Sequence, residues 1–403
     1  MPIFFQFYLE SSLEMRIALL EIAPHGHYTY VESIVHIFSS NPANLITIYT
    51  NERGGMMLQY LENQQIRLEV KPNTEGVFSF FQRIKNVDKV VVVTLEAYSK
   101  ETYELAKAFE KTNFNCPIYY VLHNFDFWFQ QSFFDKLRNV LYQLKTFKLF
   151  IYNLKIYFKY SLINPKIIEK IKQSKGRFVT MSDNLATELA HFVGAENVAI
   201  LPFSIFDGQL VDRSHDNKSL RICIAGQVSA IRRDYVSILN ILALDTERTL
   251  KNAFDWDFLG KVSTAEGGQD IVVAANRLIE RGHSIRIYQD FLSMKDYDAH
   301  LAKADIVLGN LILKQGPMAQ YGKSKETGVI FTMIKAAKVG LLPADYPLEP
   351  ALKSSVLTFN NYEEAIKILL ELHQNKAALD QLKEAALINS QKYTPLSIYQ
   401  KLK

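Results

Sequence analysis

The sequence predicts an α/β protein with two doubly wound domains, each built on a parallel β-sheet. Short runs rich in β-branched residues alternate with helical stretches, a polar segment interrupts the alternation, and the alternation then starts again. The chain has 403 residues, of which 48% are hydrophobic and 22% are charged. This length and composition favour two globular domains over one.

The first domain is predicted to span residues 15–205. Its strands are continuous apolar runs, as expected for strands that helices cover on both faces. Helical stretches separate them, and Ser182 or Asp183 is expected to cap one of these helices. The predicted strands are RIALLEIA, NLITIYT, KVVVVTLEA, PIYYVLH, GRFVT and VAILPF.

Residues 1–14 precede the first predicted element and are interpreted as a leader or a non-native start, with Met15 as the alternative first residue. They lack the basic start and the length of a secretory signal. No apolar run approaches the ~20 residues that a membrane-spanning helix needs. Cys116 and Cys223 lie far apart in apolar runs and are expected to be buried thiols. We therefore expect a cytoplasmic protein.

A polar segment at residues 206–219 is the predicted linker. The second domain is predicted for residues 220–392, and residues 393–403 should form a short helix that crosses back to the first domain. The predicted strands of the second domain are LRICIAGQV, WDFLGKV, SIRIYQDFL, DIVLGNL and VGLLPAD.

Ligands of open α/β sheets bind beyond the carboxyl ends of the strands, so the polar stretches at those ends are candidate site residues. APHGHY follows the first strand, where Gly26 permits a tight turn and His25 and His27 titrate near neutral pH. A glycine turn with two solvated histidines explains that stretch equally well. His123 ends the strand in YYVLHN, and a lone histidine at such a position is more often structural.

Two stretches of the second domain indicate anion binding. Gly226 opens AGQVSAIRRDY, in which Arg232 and Arg233 can hold a diphosphate by forked hydrogen bonds, although paired arginines are usually a solvated helix face. The loop GKSKETG, residues 322–328, precedes an apolar helix whose first N–H groups attract anions. It is not a Walker loop, and no G-x-G-x-x-G or G-x-S-x-G motif occurs.

Other site classes fit the sequence poorly. No grouping of histidine, cysteine and glutamate has the spacing of metal ligands, so no metal is expected. The net charge of +4 is too mild to imply a nucleic-acid partner. A cleft between two domains remains, with histidines on one side and an anion site on the other.

The order of these motifs resembles a GT-B fold glycosyltransferase, closest to the group-4-like enzymes (glycosyl transferases group 1), over nearly the whole chain from Met15. IAPHGHYTYVESI resembles the glycine loop and first helix of that family, and YYVLHN resembles the strand whose histidine lines the cleft. MKDYDAHLAKADIVL is the most specific piece. The resemblance implies two Rossmann-like domains that face each other across a cleft.

By this resemblance the chain is a metal-independent, cofactor-free hexosyltransferase-like enzyme, which moves a sugar from a nucleotide diphosphate to an acceptor hydroxyl. His123 would face the reacting sugar. His27 matches the "GH" turn of inverting group-1 enzymes, in which the histidine is the general base, so the stereochemical outcome stays open. The implied donor-binding residues are Gly226, Arg232, Arg233, Asp290, Phe291, Lys325, Glu326, Thr327 and Gly328, with His25 and Gly26 in the acceptor-side loop.

One departure from the family motivates two alternatives. Ile334 stands where the family usually carries a second glutamate, eight positions after Glu326, and the helix offers Thr332 and Lys335 instead. The alternatives are a catalytically silent GT-B-like subunit that binds a glycan or a partner, and a sugar-nucleotide epimerase.

The acceptor prediction depends on residues 136–160, where apolar side chains recur at helical spacing and lysines fall beside them. A long core helix with a solvated lysine edge explains this pattern. The functional interpretation is a surface that lies on an anionic membrane leaflet. It implies a lipid-linked or glycan acceptor and a role in cell-surface polysaccharide or glycolipid synthesis.

Overall fold

Two parallel β-sheets organise the protein. The computed structural model describes residues 14–24, 26–95, 99–129, 147–211, 218–246, 249–314 and 320–402. Within these ranges one sheet has seven strands and the other has six, and helices flank both. The predicted fold class, two doubly wound Rossmann-like units, is confirmed.

The first sheet has the strand order β3-β2-β1-β4-β5-β6-β7. The order reverses direction between β1 and β4, so the segments that follow these two strands diverge and leave a crevice. The strands are β1 Arg16–Glu21, β2 Leu45–Asn51, β3 Ile66–Lys71, β4 Lys89–Val92, β5 Ile118–Val121, β6 Arg177–Thr180 and β7 Val198–Ile200. The α-helices are α1 Tyr28–Ser39, α2 Glu52–Leu58, α3 Val77–Phe81, α4 Lys100–Lys111, α5 Asp126–Phe129, α6 Phe147–Gln173 and α7 Asp183–Val193.

The second sheet repeats this plan in the order β10-β9-β8-β11-β12-β13, with its switch point between β8 and β11. The strands are β8 Leu220–Ala225, β9 Phe254–Lys261, β10 Ser284–Tyr288, β11 Ile306–Leu308, β12 Val339–Pro343 and β13 Val356–Phe359. The α-helices are α8 Tyr235–Ala243, α9 Thr249–Ala253, α10 Gly268–Glu280, α11 Met294–Lys303, α12 Gly328–Ala336, α13 Tyr362–Gln374, α14 Lys376–Ser390 and α15 Pro395–Leu402.

The central strands are buried on both faces, as their continuous apolar sequences predict. Val90, Val91 and Val92 in β4 are each 0% exposed, although neighbouring residues point to opposite faces. Burying one such side chain contributes about 1.5–3 kcal/mol. Because both faces of these strands are buried, they pack against helices on both sides of the sheet.

Two strands escaped the sequence analysis, β3 and β13, and both lie at a sheet edge. The second sheet therefore has six strands in the described chain, where five were predicted. In β3 the residues Arg67 and Val70 are exposed between less exposed neighbours. An edge strand is covered less completely than a central one, so its sequence lacks the continuous apolar run by which the others were found.

The last helix, α15, lies on the first domain. The Tyr399 hydroxyl accepts hydrogen bonds from the side-chain amides of Asn41 at 3.3 Å and Asn44 at 3.2 Å. The linker runs beside it, because the Phe206 N–H donates to the Tyr393 carbonyl at 3.0 Å. The chain thus returns from the second domain to the α1 side of the first sheet.

The cap of α7, the two cysteines and the character of the helices were also predicted from the sequence. Ser182, and not Asp183, is the N-cap of α7, since its hydroxyl accepts from the Leu185 N–H. Cys223 is buried and Cys116 is half-buried, and both are free thiols. In the described part of the chain, no helix has the length and apolar character needed to cross a membrane.

Candidate active site between the two domains

The candidate site lies where the turn after β5 meets the loop before α12. Asn124 pairs with Lys325 in an isolated antiparallel bridge. Next to it, the Phe125 N–H donates to the Ser324 carbonyl at 3.2 Å. These contacts bring His123 of the first domain beside the predicted anion loop of the second.

His27 and His123 form a stacked pair. Their ring centroids are 4.0 Å apart and the ring planes differ by 15°. His123 Nε2 lies 2.9 Å from the Val93 carbonyl oxygen, and because a carbonyl only accepts, Nε2 carries the proton. The two histidines, which are 96 positions apart in the sequence, thus share one site.

Both imidazoles are neutral at physiological pH. Burial, with a smaller contribution from the Lys325 charge, lowers the pKa of His27 to about 4. Burial also lowers the pKa of His123 well below its ordinary value, and His27 and Lys325 lower it further. Neutral rings can accept a proton, which a general base requires.

A buried hydrogen-bond chain lies behind His27. The Thr94 hydroxyl donates to Glu21 Oε2 at 2.6 Å, and Thr94 Oγ1 lies 2.9 Å from His27 Nδ1. Glu21 also accepts from the Ala23 N–H at 3.1 Å and the His27 N–H at 3.3 Å. Glu21 is 0% exposed, and burial raises the pKa of its carboxyl to about 7.

Glu21 and Thr94 were not predicted from the sequence as site residues. A signal for Glu21 was present, since RIALLEIA places one acid within a strand otherwise composed of apolar residues after its first position. Acidic side chains are almost never fully buried unless they are paired or hydrogen-bonded. Thr94 gave no comparable signal, because threonine is common in strands.

Gly26, where a tight turn was predicted, lies close to other protein atoms. A Cβ added to Gly26 would lie 2.8 Å from Tyr28 Cε1 and 3.0 Å from Glu21 Cδ. Glycine therefore lets the turn close over Glu21. His25, the other residue assigned to the acceptor-side loop, lies outside the described residues.

The predicted anion loop leads directly into helix α12. Thr327 is the N-cap, and its hydroxyl accepts from the Val329 N–H at 3.3 Å. A Cβ added at Gly328 would meet no atom within 4 Å, so there is open space at the start of the helix. The helix start, with Lys325 close by, has the features of an anion site.

Glu326 is directed away from this open space. It is 8% exposed, and Oε1 accepts from the Thr327 N–H at 2.8 Å and from the Tyr346 hydroxyl. Burial raises the pKa of the Glu326 carboxyl. The Glu326 side chain, predicted to bind the donor, is held by Thr327 and Tyr346 in this structure.

The two arginines have different surroundings. Arg233 is 7% exposed, and Nη1 donates to the Asn310 side-chain oxygen at 3.3 Å. Its guanidinium lies against Gly226, which has φ +107°, and a Cβ there would stand 2.6 Å from Arg233 Nη2. Arg232 points elsewhere and pairs with Glu266 at 3.0 Å. Arg233 is thus the arginine that lies against the turn at the end of β8.

Asp290 and Phe291 follow β10 at the carboxyl end of that strand. Their exposed fractions are 91% for the Asp290 side chain and 80% for Phe291. Lys261 Nζ lies 3.7 Å from Asp290 Oδ1 and 5.2 Å from the Phe291 ring centroid. This pair therefore lies at the sheet edge where the donor base is predicted to bind, largely uncovered by protein.

The replacements suggested for the absent second glutamate are engaged elsewhere. Thr332 donates to the Gly328 carbonyl at 2.9 Å, and Lys335 pairs with Asp298 at 2.7 Å. Ile334 is 1% exposed. Both Thr332 and Lys335, which the helix offers in place of the glutamate, therefore bond to protein partners on α11 and α12 in this structure.

Among the residues that the structure describes, no group of three or more histidine, cysteine, aspartate or glutamate side chains is placed to hold a metal ion. Most of the stripe at residues 136–160 lies outside the described side chains.

Comparison with known proteins gives the class of fold. A scan of protein-family models found no match, and no curated protein matched the chain. Among solved structures, Anabaena Alr3699/HepE in complex with UDP and glucose is 15% identical with a TM-score of 0.61, covering 96% of this chain and 98% of that one.

Two further structures share the architecture. An alpha-glucosyltransferase in complex with UDP and a 13-mer DNA is 10% identical with a TM-score of 0.56, over 94% of this chain and 96% of that one. A protein described as a UDP-N-acetylglucosamine 2-epimerase from Listeria monocytogenes is 11% identical with a TM-score of 0.55, over 97% and 95%. The chain therefore has a GT-B glycosyltransferase-like fold, as the motif order predicted.

Proposed function

We propose that this protein is a glycosyltransferase that moves a sugar from a nucleotide-diphosphate donor to an acceptor hydroxyl. The observation that carries the proposal is the meeting of Lys325 and the start of α12 with the stacked His27 and His123. Sugar transfer needs stabilisation of the departing diphosphate and a group that takes the acceptor proton, and this cleft offers both.

The second domain supplies the positively charged groups that stabilise the departing diphosphate. Negative charge grows on the diphosphate as its bond to the sugar breaks. Lys325, Arg233 and the Gly328 N–H at the start of α12 can stabilise that charge. Because these groups already carry positive charge, the proposed reaction needs no metal ion.

The first domain supplies the base. His27 Nε2 has no hydrogen-bond partner among the described residues, and its ring is neutral. A pKa of about 4 makes His27 a weak base. A bound diphosphate would offset the Lys325 charge that helps to lower this pKa, so donor binding should strengthen the base.

A lipid-linked acceptor in cell-surface glycan or glycolipid synthesis is the finer part of the proposal. Its support is the stripe at residues 136–160, together with the described part of α6. There Lys155 and Lys159 are exposed, and Phe158 and Leu162 are 49% and 71% exposed. Apolar and cationic side chains exposed together suit a membrane surface. Loss of flotation with anionic liposomes on changing both lysines to glutamine tests this placement at the cytoplasmic face.

A donor panel tests the central proposal. UDP- and GDP-sugars should raise the melting temperature, since a ligand at about 100 times its Kd stabilises the protein by about 2.7 kcal/mol. Slow hydrolysis of the correct donor should be measurable without an acceptor. No stabilisation by any nucleotide would favour the silent binding subunit.

Product analysis separates the remaining alternative. Release of UDP with an altered sugar in the absence of any acceptor would indicate an epimerase, a reaction named for one structural neighbour. Transfer to an acceptor with the sugar otherwise unchanged supports the glycosyltransferase.

A further inference from the structure

We propose that Glu21 and Thr94 are positioning residues that fix His27 in the tautomer able to take the acceptor proton. This inference rests on the proposed function and names two residues that the family resemblance did not supply. It depends on a hydrogen-bond chain that joins the ends of β1 and β4 at the switch point of the first sheet.

The direction of each hydrogen bond follows from the inventory of protons. The Thr94 hydroxyl has one proton, and the 2.6 Å contact places it on the line to Glu21 Oε2. Thr94 Oγ1 then faces His27 Nδ1 at 2.9 Å as an acceptor, so Nδ1 carries the imidazole proton. Nε2 is left with its lone pair, which is the atom that a base uses.

A purely structural role accounts for only part of this arrangement. Glu21 does hold the turn, because it accepts from the N–H groups of Ala23 and His27. His27 is the N-cap residue of α1, yet its side chain makes no capping hydrogen bond. The ring is instead directed to Thr94, a contact that the turn and the helix do not require.

The proposed step balances as follows. The acceptor hydroxyl gives its proton to His27 Nε2 while its oxygen forms a bond to the anomeric carbon. The bond from that carbon to the diphosphate breaks, and its electron pair leaves with the diphosphate. The imidazolium then holds protons on both nitrogens, and the Glu21 carboxylate, acting through Thr94, stabilises its positive charge until the proton passes to solvent.

Several titratable groups face the hydrogen-bond chain formed by Glu21, Thr94 and His27. His27 meets His123 on its ring face and is affected by Lys325, while Tyr28 interacts with Glu21. Burial raises the pKa of Glu21 to about 7, so its carboxylate form increases as the pH rises through neutrality. Turnover should therefore rise through about pH 7 in the natural protein, because only the carboxylate stabilises the imidazolium.

The first experiment does not depend on activity. Long-range ¹H–¹⁵N spectra of the full chain, assigned with His27→Gln, should show the His27 proton on Nδ1. Thr94→Val should give a mixture of tautomers, and Thr94→Ser should restore the Nδ1 form. A His27 proton on Nε2 in the natural protein would overturn the proposal.

The second experiment uses turnover. Glu21→Gln and Thr94→Val should each lower kcat on the order of 10²-fold with the donor KM little changed. Both variants should also abolish the rise of kcat near pH 7. Thr112→Val is the matched control, since it also removes a buried hydroxyl. That hydroxyl lies away from the site and donates to the Ala108 carbonyl at a distance of 2.9 Å. A loss of kcat no greater than that of the control would refute the positioning role.

Different results would contradict the proposed function and the positioning role of Glu21. If the natural protein transfers no sugar, the proposed function and the base role of His27 are both wrong. If it transfers sugar while Glu21→Gln keeps the full pH profile, only the inference about Glu21 is wrong. Retention of configuration at the anomeric carbon would also contradict it, because direct attack by a deprotonated acceptor inverts that carbon.

Discussion

Asn124, the residue after His123, pairs in an antiparallel bridge with Lys325 across the boundary between the two domains. The bridge places the ammonium group of Lys325 in the second domain near the histidines of the first domain. That charge contributes to the lowered pKa of His27 and of His123. The site is thus electrostatically coupled across the cleft, and four predictions follow from it and from the fold around it.

Changing Lys325 to glutamine should raise the pKa of both histidines. A nearby positive charge disfavours the imidazolium, so removing the Lys325 charge favours protonation of the histidines. The decrease of kcat that accompanies protonation of His27 at low pH should therefore move to higher pH. Turnover on the correct donor should also fall far more than stability does. NMR titration of the imidazoles gives the pKa directly. Lys323→Gln is the matched control, since Lys323 is exposed on the same loop, and an equal shift there would contradict the assignment.

A methyl group at Gly26 should disturb the base without unfolding the domain. Gly26→Ala places a Cβ 2.8 Å from Tyr28 Cε1 and 3.0 Å from Glu21 Cδ, so Glu21 must move. We expect kcat to fall at least 10-fold and stability to fall by about 1–2 kcal/mol. Gly76→Ala is the comparison, because no atom lies within 4 Å of its added Cβ. Full activity of Gly26→Ala would show that Glu21 tolerates displacement.

The buried seam between the domains should make stability depend on pH. Glu349 accepts from the Asp183 N–H at 3.0 Å and from the Tyr393 hydroxyl at 2.8 Å, and burial raises its pKa to about 7. A raised carboxyl pKa means that the folded state binds more protons than the unfolded state. Stability is therefore highest at low pH within this window and falls as pH rises from about 4.5 to about 7.

Urea unfolding at about pH 5 and about pH 8 tests this dependence. Glu21, whose pKa is also about 7, and Asp126, at about 6, add to the same trend. Glu349→Gln should reduce the difference in unfolding free energy by on the order of 1–3 kcal/mol. The exposed Glu371→Gln should leave it unchanged. An undiminished difference in Glu349→Gln would assign the pH dependence to other groups.

The docking of α15 on the first domain should depend on one hydroxyl. Tyr399→Phe removes one acceptor of the buried side-chain amides of Asn41 and Asn44, which also donate to Asn44 and to the Phe38 carbonyl, respectively. Loss of hydrogen bonds to buried groups costs about 1–3 kcal/mol. We expect a lower melting temperature with unchanged nucleotide affinity, measured by calorimetry. A matched loss of nucleotide affinity would mean that the last helix also organises the cleft.

The sequence determined the architecture because its signals are local. Continuous apolar runs such as VVV at 90–92 require burial on both faces, and the polar break at 206–219 divides two such patterns. The candidate residues at strand ends follow from the same logic, since parallel strands bring their carboxyl ends to one edge. Edge strands β3 and β13 carry a weaker pattern and were missed for that reason.

Only the tertiary structure decided which polar side chains work together. It buried Glu326 against Tyr346, paired Lys335 with Asp298, and placed Arg233 rather than Arg232 against Gly226. Side-chain direction depends on which partners are nearby, and those partners come from distant segments.

The same holds for the base. Glu21, His27 and Thr94 come from the ends of two strands that become neighbours only when β4 pairs with β1. In the sequence Glu21 is a single acid in an apolar run and Thr94 an ordinary strand-end threonine. The hydrogen bonds that give them a chemical role need donor and acceptor within about 3 Å, a distance that folding alone sets.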